Sequence, residues 1–446
     1  MFEKEGTVKK EKALKHYNKG LSFYEVGEFD KALKEYIKAI QINPNYAEAW
    51  FNKGIIFSDM GEFLEALECY ETALEINPNY TDALVNRGFE LRRLGKCSEA
   101  LECYENVLEV KPDYVEVWIN KGVALVDMGK LNEALECYET ALKIKPNDSG
   151  ALLNKGFIFC KMGKLSDALE LYDMVLKINP DIIKAWVNKA MVLGSMSKFQ
   201  EALECYDKAI EINPYQVDIW FNKGTILQNM GDLDGALESY EKALEINPDD
   251  AELWLNKGMI FGRMIKLNEA LECFENALNI KPNYAEAWYK KACIYDMMGK
   301  FPEALECCDM TLGINPNHAE AWVNRGMIFD MMDKHSEALE CYEKALEINP
   351  KYAEAWAKKG ETLEDMDKLH EALECCKKAL DINPHHAQAW YLEALIYSKK
   401  NDKKNVLNCL SNAIEIDQSY IEKAKNDDDF KLLLEDVDFK YMEGEI

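Results

Sequence analysis

The stretch INPNYAEAW at residues 42–50 returns as IKPNYAEAW at 280–288 and as INPKYAEAW at 348–356. Eleven of the twelve prolines, from Pro44 and Pro78 through Pro350 and Pro384, fall 34 residues apart without a slip. All nine tryptophans (Trp50, Trp118, Trp186, Trp220, Trp254, Trp288, Trp322, Trp356 and Trp390) share one phase of that period, and His16, Leu84 and Leu152 fill the vacant places. A fixed period of this size means one supersecondary unit stacked on copies of itself.

Within residues 47–80, the order Trp50, Gly54, Phe57, Ala66, Tyr70, Ala73, Pro78 sets apolar residues at helical spacing in two runs, broken at Gly61 and stopped by Pro78. That reads as helix, turn, helix. Small residues at 54 and 66 let the two helices approach, with Trp50, Phe57 and Tyr70 filling the space beside them. Proline forbids continuation and pushes the residue before it out of the helical region. The one off-phase proline, Pro302, falls in the first turn of a second helix, where its missing N–H costs nothing.

The pattern W-x3-G-x2-[FY], then A-x3-Y and A-x4-P, resembles the tetratricopeptide repeat over residues 13–420. The resemblance implies an all-α fold: a right-handed superhelical α-solenoid of twelve units (13–46, 47–80, 81–114, 115–148, 149–182, 183–216, 217–250, 251–284, 285–318, 319–352, 353–386 and 387–420). Residues 1–12 are expected to form an N-terminal extension and 421–446 a helical cap, with Phe430, Leu433 and Phe439 covering the last apolar face. Three departures carry expectations. The position before the small glycine is basic (Lys53, Arg87, Lys121), its stem expected along the core and its head in water. The turn glycines give way to Ser197, Ile265, Asp333, Asp367 and Asn401, and a β-branched Ile265 is expected to distort its turn. Nine methionines before the turns, Met60 and Met128 among them, read as core filling.

Composition narrows the function classes. Eighty acidic against 53 basic residues give a net charge of −27, which repels nucleic acid and anionic membranes and favours neutral or basic partners. The charged start and the lack of a long apolar run point to a cytoplasmic protein with no membrane partner. Nine of the 14 cysteines (Cys69, Cys103, Cys137, Cys205, Cys273, Cys307, Cys341, Cys375 and Cys409) share one place on the second helix. Neighbouring units stack about 8–10 Å apart, too far for disulfides along that row, so these thiols read as small apolar residues of a reducing compartment. The late units gather His318, His335, His370, His385 and His386 near Cys307, Cys308, Cys375 and Cys376, but without ligand spacing, so no metal or cofactor is assigned. No nucleophile, base and orienting acid recur together and no phosphate loop is present; an enzyme is the least favoured reading.

In this family the first helix of each unit lines the concave face. There Asn52, Asn86, Asn120, Asn154, Asn188, Asn222 and Asn256 repeat in one place, as do Asn18 and Asn324. Beside them run apolar residues one before and three after: Phe51 and Ile55, Val85 and Phe89, Ile119 and Val123, Leu153 and Phe157, Phe221, Leu255 and Met259. An amide ladder pairs with any peptide backbone while an apolar lane accepts side chains, so the two describe a groove for an extended segment of another protein. A similar ladder holds peptide main chain in the repeat region of O-linked N-acetylglucosamine transferases. The alternative is that each asparagine bonds within or between units and the apolar row packs between helices. Arg92, Arg93, Lys161 and Arg263 line the earlier part, and Asp296, Asp330, Glu361, Glu364 and Asp365 the later, so a partner of opposite polarity along its length or ordinary solvated charge both fit. The carboxylate clamp that family members use on chaperone C-termini is matched only at its middle asparagine; Glu48, Asp82 and Glu116 would repel a carboxylate. A protein-binding scaffold, or a regulatory or targeting subunit of a larger enzyme, is thus expected, with the partner and oligomeric state open.

Overall fold

The computed structural model describes residues 2–433, with side chains over 8–430. Phe439 and the side chain of Leu433, both assigned to the cap, lie outside these limits. The described residues form helices alone, in two compact units, Met1–Tyr215 and Gln216–Ile446.

The first unit holds α1 (Phe2–Glu25), α2 (Phe29–Ile42), α3 (Ala47–Asp59), α4 (Phe63–Ile76), α5 (Thr81–Arg93), α6 (Cys97–Val110), α7 (Val115–Asp127), α8 (Leu131–Ile144), α9 (Ser149–Lys161), α10 (Leu165–Ile178), α11 (Ile183–Ser195) and α12 (Phe199–Ile212). The second holds α13 (Val217–Met230), α14 (Leu233–Ile246), α15 (Ala251–Arg263), α16 (Leu267–Ile280), α17 (Ala285–Met297), α18 (Phe301–Ile314), α19 (Ala319–Met331), α20 (His335–Ile348), α21 (Ala353–Asp365), α22 (Leu369–Ile382), α23 (Ala387–Lys399), α24 (Lys403–Ile416) and α25 (Ser419–Asn426), then a 3-10 turn over Asp428–Leu433. Each odd helix up to α23 pairs with the even helix that follows it, and each pair stacks on the next within its unit as a helical solenoid. The N-terminal extension is helical and continuous with α1. Pro302 sits in the first turn of α18, as its position dictates.

The turns and breaks follow from the backbone chemistry. After α3, Gly61 takes φ +82° while its N–H bonds Ser58 O at 3.0 Å and Glu62 N bonds Phe57 O at 2.8 Å, a left-handed cap that satisfies the last carbonyls. After α4, Asn77 is extended (φ −132°, ψ 89°), which the following Pro78 enforces. The small residue of each first helix is set by close approach: a Cβ on Gly54 would meet the Tyr70 ring at 2.6 Å, and alanine takes the place only at Ala190, Ala292 and Ala394.

The tryptophans do more than fill space. The indole N–H of Trp50, Trp118, Trp186, Trp254, Trp288, Trp322, Trp356 and Trp390 donates to the carbonyl of the proline six residues earlier, at 2.8–3.1 Å, tying the loop to the helix it precedes.

Three expectations are corrected. The basic heads are not simply in water: Lys121 Nζ meets Glu105 Oε1 of the preceding second helix at 2.8 Å while lying over the Trp118 ring. Arg87 with Glu71, Lys155 with Glu139, Lys189 with Asp173, Lys257 with Glu241, Lys291 with Glu275, Arg325 with Asp309 and Lys359 with Glu343 repeat this staple between neighbouring repeats. Ile265 does not distort its turn. It adopts φ +60° with its side chain 73% exposed, and Ile265 N→Gly262 O and Lys266 N→Phe261 O stay at 3.1 and 2.9 Å. The helices on either side are fixed by packing, so the residue absorbs the strain. Of the nine methionines before the turns, Met60, Met128 and Met230 are exposed instead of core-filling, whereas the other six are half-buried, with Met162, Met196, Met298 and Met332 packed against the core. The nine cysteines of the shared place are buried as expected. Phe430 is fully buried against Tyr391, at 5.6 Å between rings, and closes the last pair.

Candidate functional site: the inner helix face

Within each unit, successive first helices approach one another directly, as α5 does α7 and α7 does α9, or α19 does α21 and α21 does α23; no two second helices of one unit reach that closeness among the described residues. The first helices therefore line the inner side. Side chains stitch them together: Tyr24 to Asp59 at 2.8 Å, Ser58 to Glu90 at 2.5 Å and Arg92 to Asp127 at 2.9 Å in the first unit, Thr362 to Asp330 at 2.6 Å and His386 to Glu354 at 3.1 Å in the second.

The asparagines share one position on this face, half-buried except for the exposed Asn18, but not one bonding state. Asn52 donates to the Tyr17 hydroxyl at 2.8 Å. Asn86 and Asn256 donate to the carbonyls of Asp82 and Glu252 one turn back, both at 2.8 Å, leaving their side-chain oxygens. Asn188 lies beside the buried Tyr172 hydroxyl. Asn324 is engaged with Cys308 and Cys293 sulfurs. The side-chain amides of Asn120, Asn154 and Asn222 make no hydrogen bond with any described residue.

The apolar row divides as well. Phe51 and Leu255 are buried, Phe51 packing on Tyr70 and Tyr80 at 5.8 and 5.0 Å between rings, so the residue before the asparagine serves mainly to fill the space between neighbouring repeats. Ile119, Leu153 and Phe221 in that row are half-buried. Three residues beyond the asparagine, Phe89 and Phe157 stand exposed at 38% and 39%, with Ile55, Val123 and Met259 half-buried. Phe51, Phe89, Asn86 and Asn120 all line a shallow pocket of about 380 Å³ between α5 and α7.

Charge on this face differs between the units. Near Phe89, Arg92 is held by Asp127, and Arg93 lies 3.7 Å from the buried Glu90 and over the Phe63 ring at 3.9 Å. In the second unit Asp330 accepts from Tyr342 and Thr362 and meets His335 at 3.2 Å, Glu364 pairs with Lys399, and Glu361 lies 2.9 Å from Lys358. Asp296 has its carboxyl raised by burial. Glu90 was missed in the sequence: the equivalent places hold Ile56, Ala124, Ile158 and Val192, and a lone acid among aliphatics was the available signal. No group of three or more potential metal-ligating side chains comes together among the described residues, and no described helix is long and apolar enough to cross a membrane.

The Tetratricopeptide repeat family profile matches residues 47–80, 115–148, 183–216, 217–250, 285–318, 319–352 and 353–386, more than half of the chain. Related TPR repeat profiles match 20–61, 90–129, 137–170, 239–272 and 387–420. No curated protein gives a significant match. Among solved structures, yeast Tom70 is 19% identical, with 97% of this chain and 95% of that chain covered and a TM-score of 0.46. A tetratricopeptide repeat protein from Parabacteroides merdae is 22% identical over 56% of this chain and 98% of that chain, TM-score 0.45. The Cut9-Hcn1 hetero-tetramer of the APC/C is 13% identical over 95% of both chains, TM-score 0.47.

Proposed function

The chain belongs to the tetratricopeptide repeat family, and from that premise we propose that it is a non-enzymatic protein-interaction scaffold whose inner face in the first unit binds an extended segment of a partner protein. The observation that carries this reading is the pair Asn120 and Asn154. On consecutive first helices, two half-exposed amides have no hydrogen-bond partner among the described residues and are flanked by the exposed rings of Phe89 and Phe157. A side-chain amide offers donors and an acceptor to a passing peptide group whatever its sequence, and the rings accept its side chains. Each such bond contributes only about 0.5–1.5 kcal/mol net, against about 2–5 kcal/mol to order a flexible segment, so several repeats act together and affinity is modest.

The test begins with crosslinked affinity purification from the source cell and mapping of the crosslinked residues. Replacing Asn120, Asn154 and Asn188 together by Ala abolishes capture while helicity and melting are retained. Capture that survives the triple change, or crosslinks confined to the second helices, refutes the inner-face reading.

A further inference from the structure

The groove reading leaves the chemistry of the bound segment open, and the carboxylates two residues before each tryptophan position narrow it. Glu48, Asp82 and Glu116 stand exposed on the inner face of successive repeats, and no side-chain hydrogen bond or ion pair within the described chain uses their carboxylates. A place in the first turn of a helix suits a carboxylate in any event. What distinguishes Asp82 and Glu116 is the pocket of about 380 Å³ between them, lined also by Asn86, Phe89, Tyr114 and Asn120. The hydroxyl of Tyr114 is pushed up by burial and then by Glu116 and Asp82, which places both acids near the ring.

The second unit shows what this position accepts. There Glu286 occupies the place of Asp82 and meets nitrogens of its own chain: Lys290 Nζ at 3.1 Å and His318 Nε2 at 3.6 Å, the imidazole tilted against the Tyr289 ring at 4.8 Å. Glu354 likewise meets His386 at 3.1 Å. In the first unit Tyr80 and Tyr114 stand where those histidines do, and Asn86 and Asn120 stand where Lys290 and Lys358 do, so the carboxylates and rings remain while the lysine and histidine nitrogens are gone. The nearby Arg92 and Arg93 are turned to Asp127 and Glu90.

We propose that the pocket between α5 and α7 takes a lysine or arginine side chain of the bound segment, its cation between Asp82 and Glu116 and its aliphatic stem over Phe89 and Tyr114. This rests on the inner-face groove. A segment in the polyproline II form advances about 3.1 Å per residue with three residues per turn, and repeats stack about 8–10 Å apart, so a basic residue at every third position keeps one face and stays in register with successive carboxylates.

The probes are fluorescein-labelled peptides of four Lys-Val-Ala repeats and the same peptide with norleucine for lysine, titrated by anisotropy against the full chain. The lysine peptide is expected to bind at least about tenfold more tightly, as a charge-assisted pair warrants. Asp82→Asn with Glu116→Gln removes that preference without weakening the norleucine peptide; Glu68→Gln with Glu102→Gln, on α4 and α6, preserves it. Equal binding of the two peptides to the unaltered chain, still sensitive to Asn120→Ala, overturns the cation subsite and leaves the groove standing. Loss of the preference in the Glu68/Glu102 variant overturns it in favour of diffuse charge. Failure of both peptides to bind overturns the groove and the subsite together.

Discussion

His16 Nδ1 and Glu35 Oε2 lie 2.6 Å apart, one in the place that tryptophan holds elsewhere and the other in the place of cysteine. Lys19 at 3.2 Å and Lys38 at 2.8 Å complete the set around a carboxylate that is 4% exposed. The first repeat has thus exchanged an apolar contact for a hydrogen-bonded polar cluster, and the buried Glu35 carboxylate would be left unpaired without these partners.

The His16 bond, then Lys38 and Lys19, hold the Glu35 carboxyl down from the ordinary 4.5 to about 2. A depressed acid contributes its stability fully above 4.5 and loses it as pH falls from there towards 2. Glu35→Gln should therefore cost about 1–3 kcal/mol near neutrality, and the gap in melting temperature between the two proteins should close between pH 4.5 and 2.5. A gap unchanged across that range would contradict the assignment.

Ile265 pays for a left-handed backbone that glycine adopts without strain. Ile265→Gly should stabilise the chain by about 1 kcal/mol, read as a rise in the urea midpoint at unchanged slope.

Gly122 and Gly313 separate contact from flexibility. A Cβ at Gly122 would lie 2.5 Å from the Tyr138 ring, whereas nothing lies within 4 Å of one at Gly313 in α18. Because Ala190 already sits in the equivalent place beside Tyr206, a single methyl can be accommodated; the test is Gly122→Val, expected to cost about 2–3 kcal/mol. Gly313→Ala should gain about 0.4–1 kcal/mol. Paired denaturant titrations check both signs.

Burial pushes the Cys137, Cys205 and Cys341 thiols up to about 11, and Cys160 and Cys293 are the two cysteines that are not fully buried. Burial raises the Cys293 thiol as well, so iodoacetamide at pH 7.5 should modify Cys160 first in the native protein, Cys293 more slowly and the others only in urea; mass spectrometry of digests reads the order.

The repeated proline, tryptophan, glycine and tyrosine places made the helical hairpins legible in the sequence, because each acts within about 34 residues on a contact that every copy repeats. The same logic exposed the asparagine row and hid its differences. Asn52 and Asn120 are indistinguishable in the pattern, yet Tyr17 takes up one amide and no side chain takes up the other. That outcome depends on which residue the neighbouring repeat places opposite, and neighbours differ where the period is broken.

The sequence by itself determined the unit, its length, its two helices and the residues that close them, since these are short-range steric requirements of proline, glycine and aromatic packing. Only the tertiary structure decided that the basic row staples one repeat to the previous one, that Phe51 and Leu255 are interior while Phe89 and Phe157 are open, and that Asp82 and Glu116 flank a pocket. The physical reason is that burial and pairing belong to the interface between copies, whose geometry no single repeat contains.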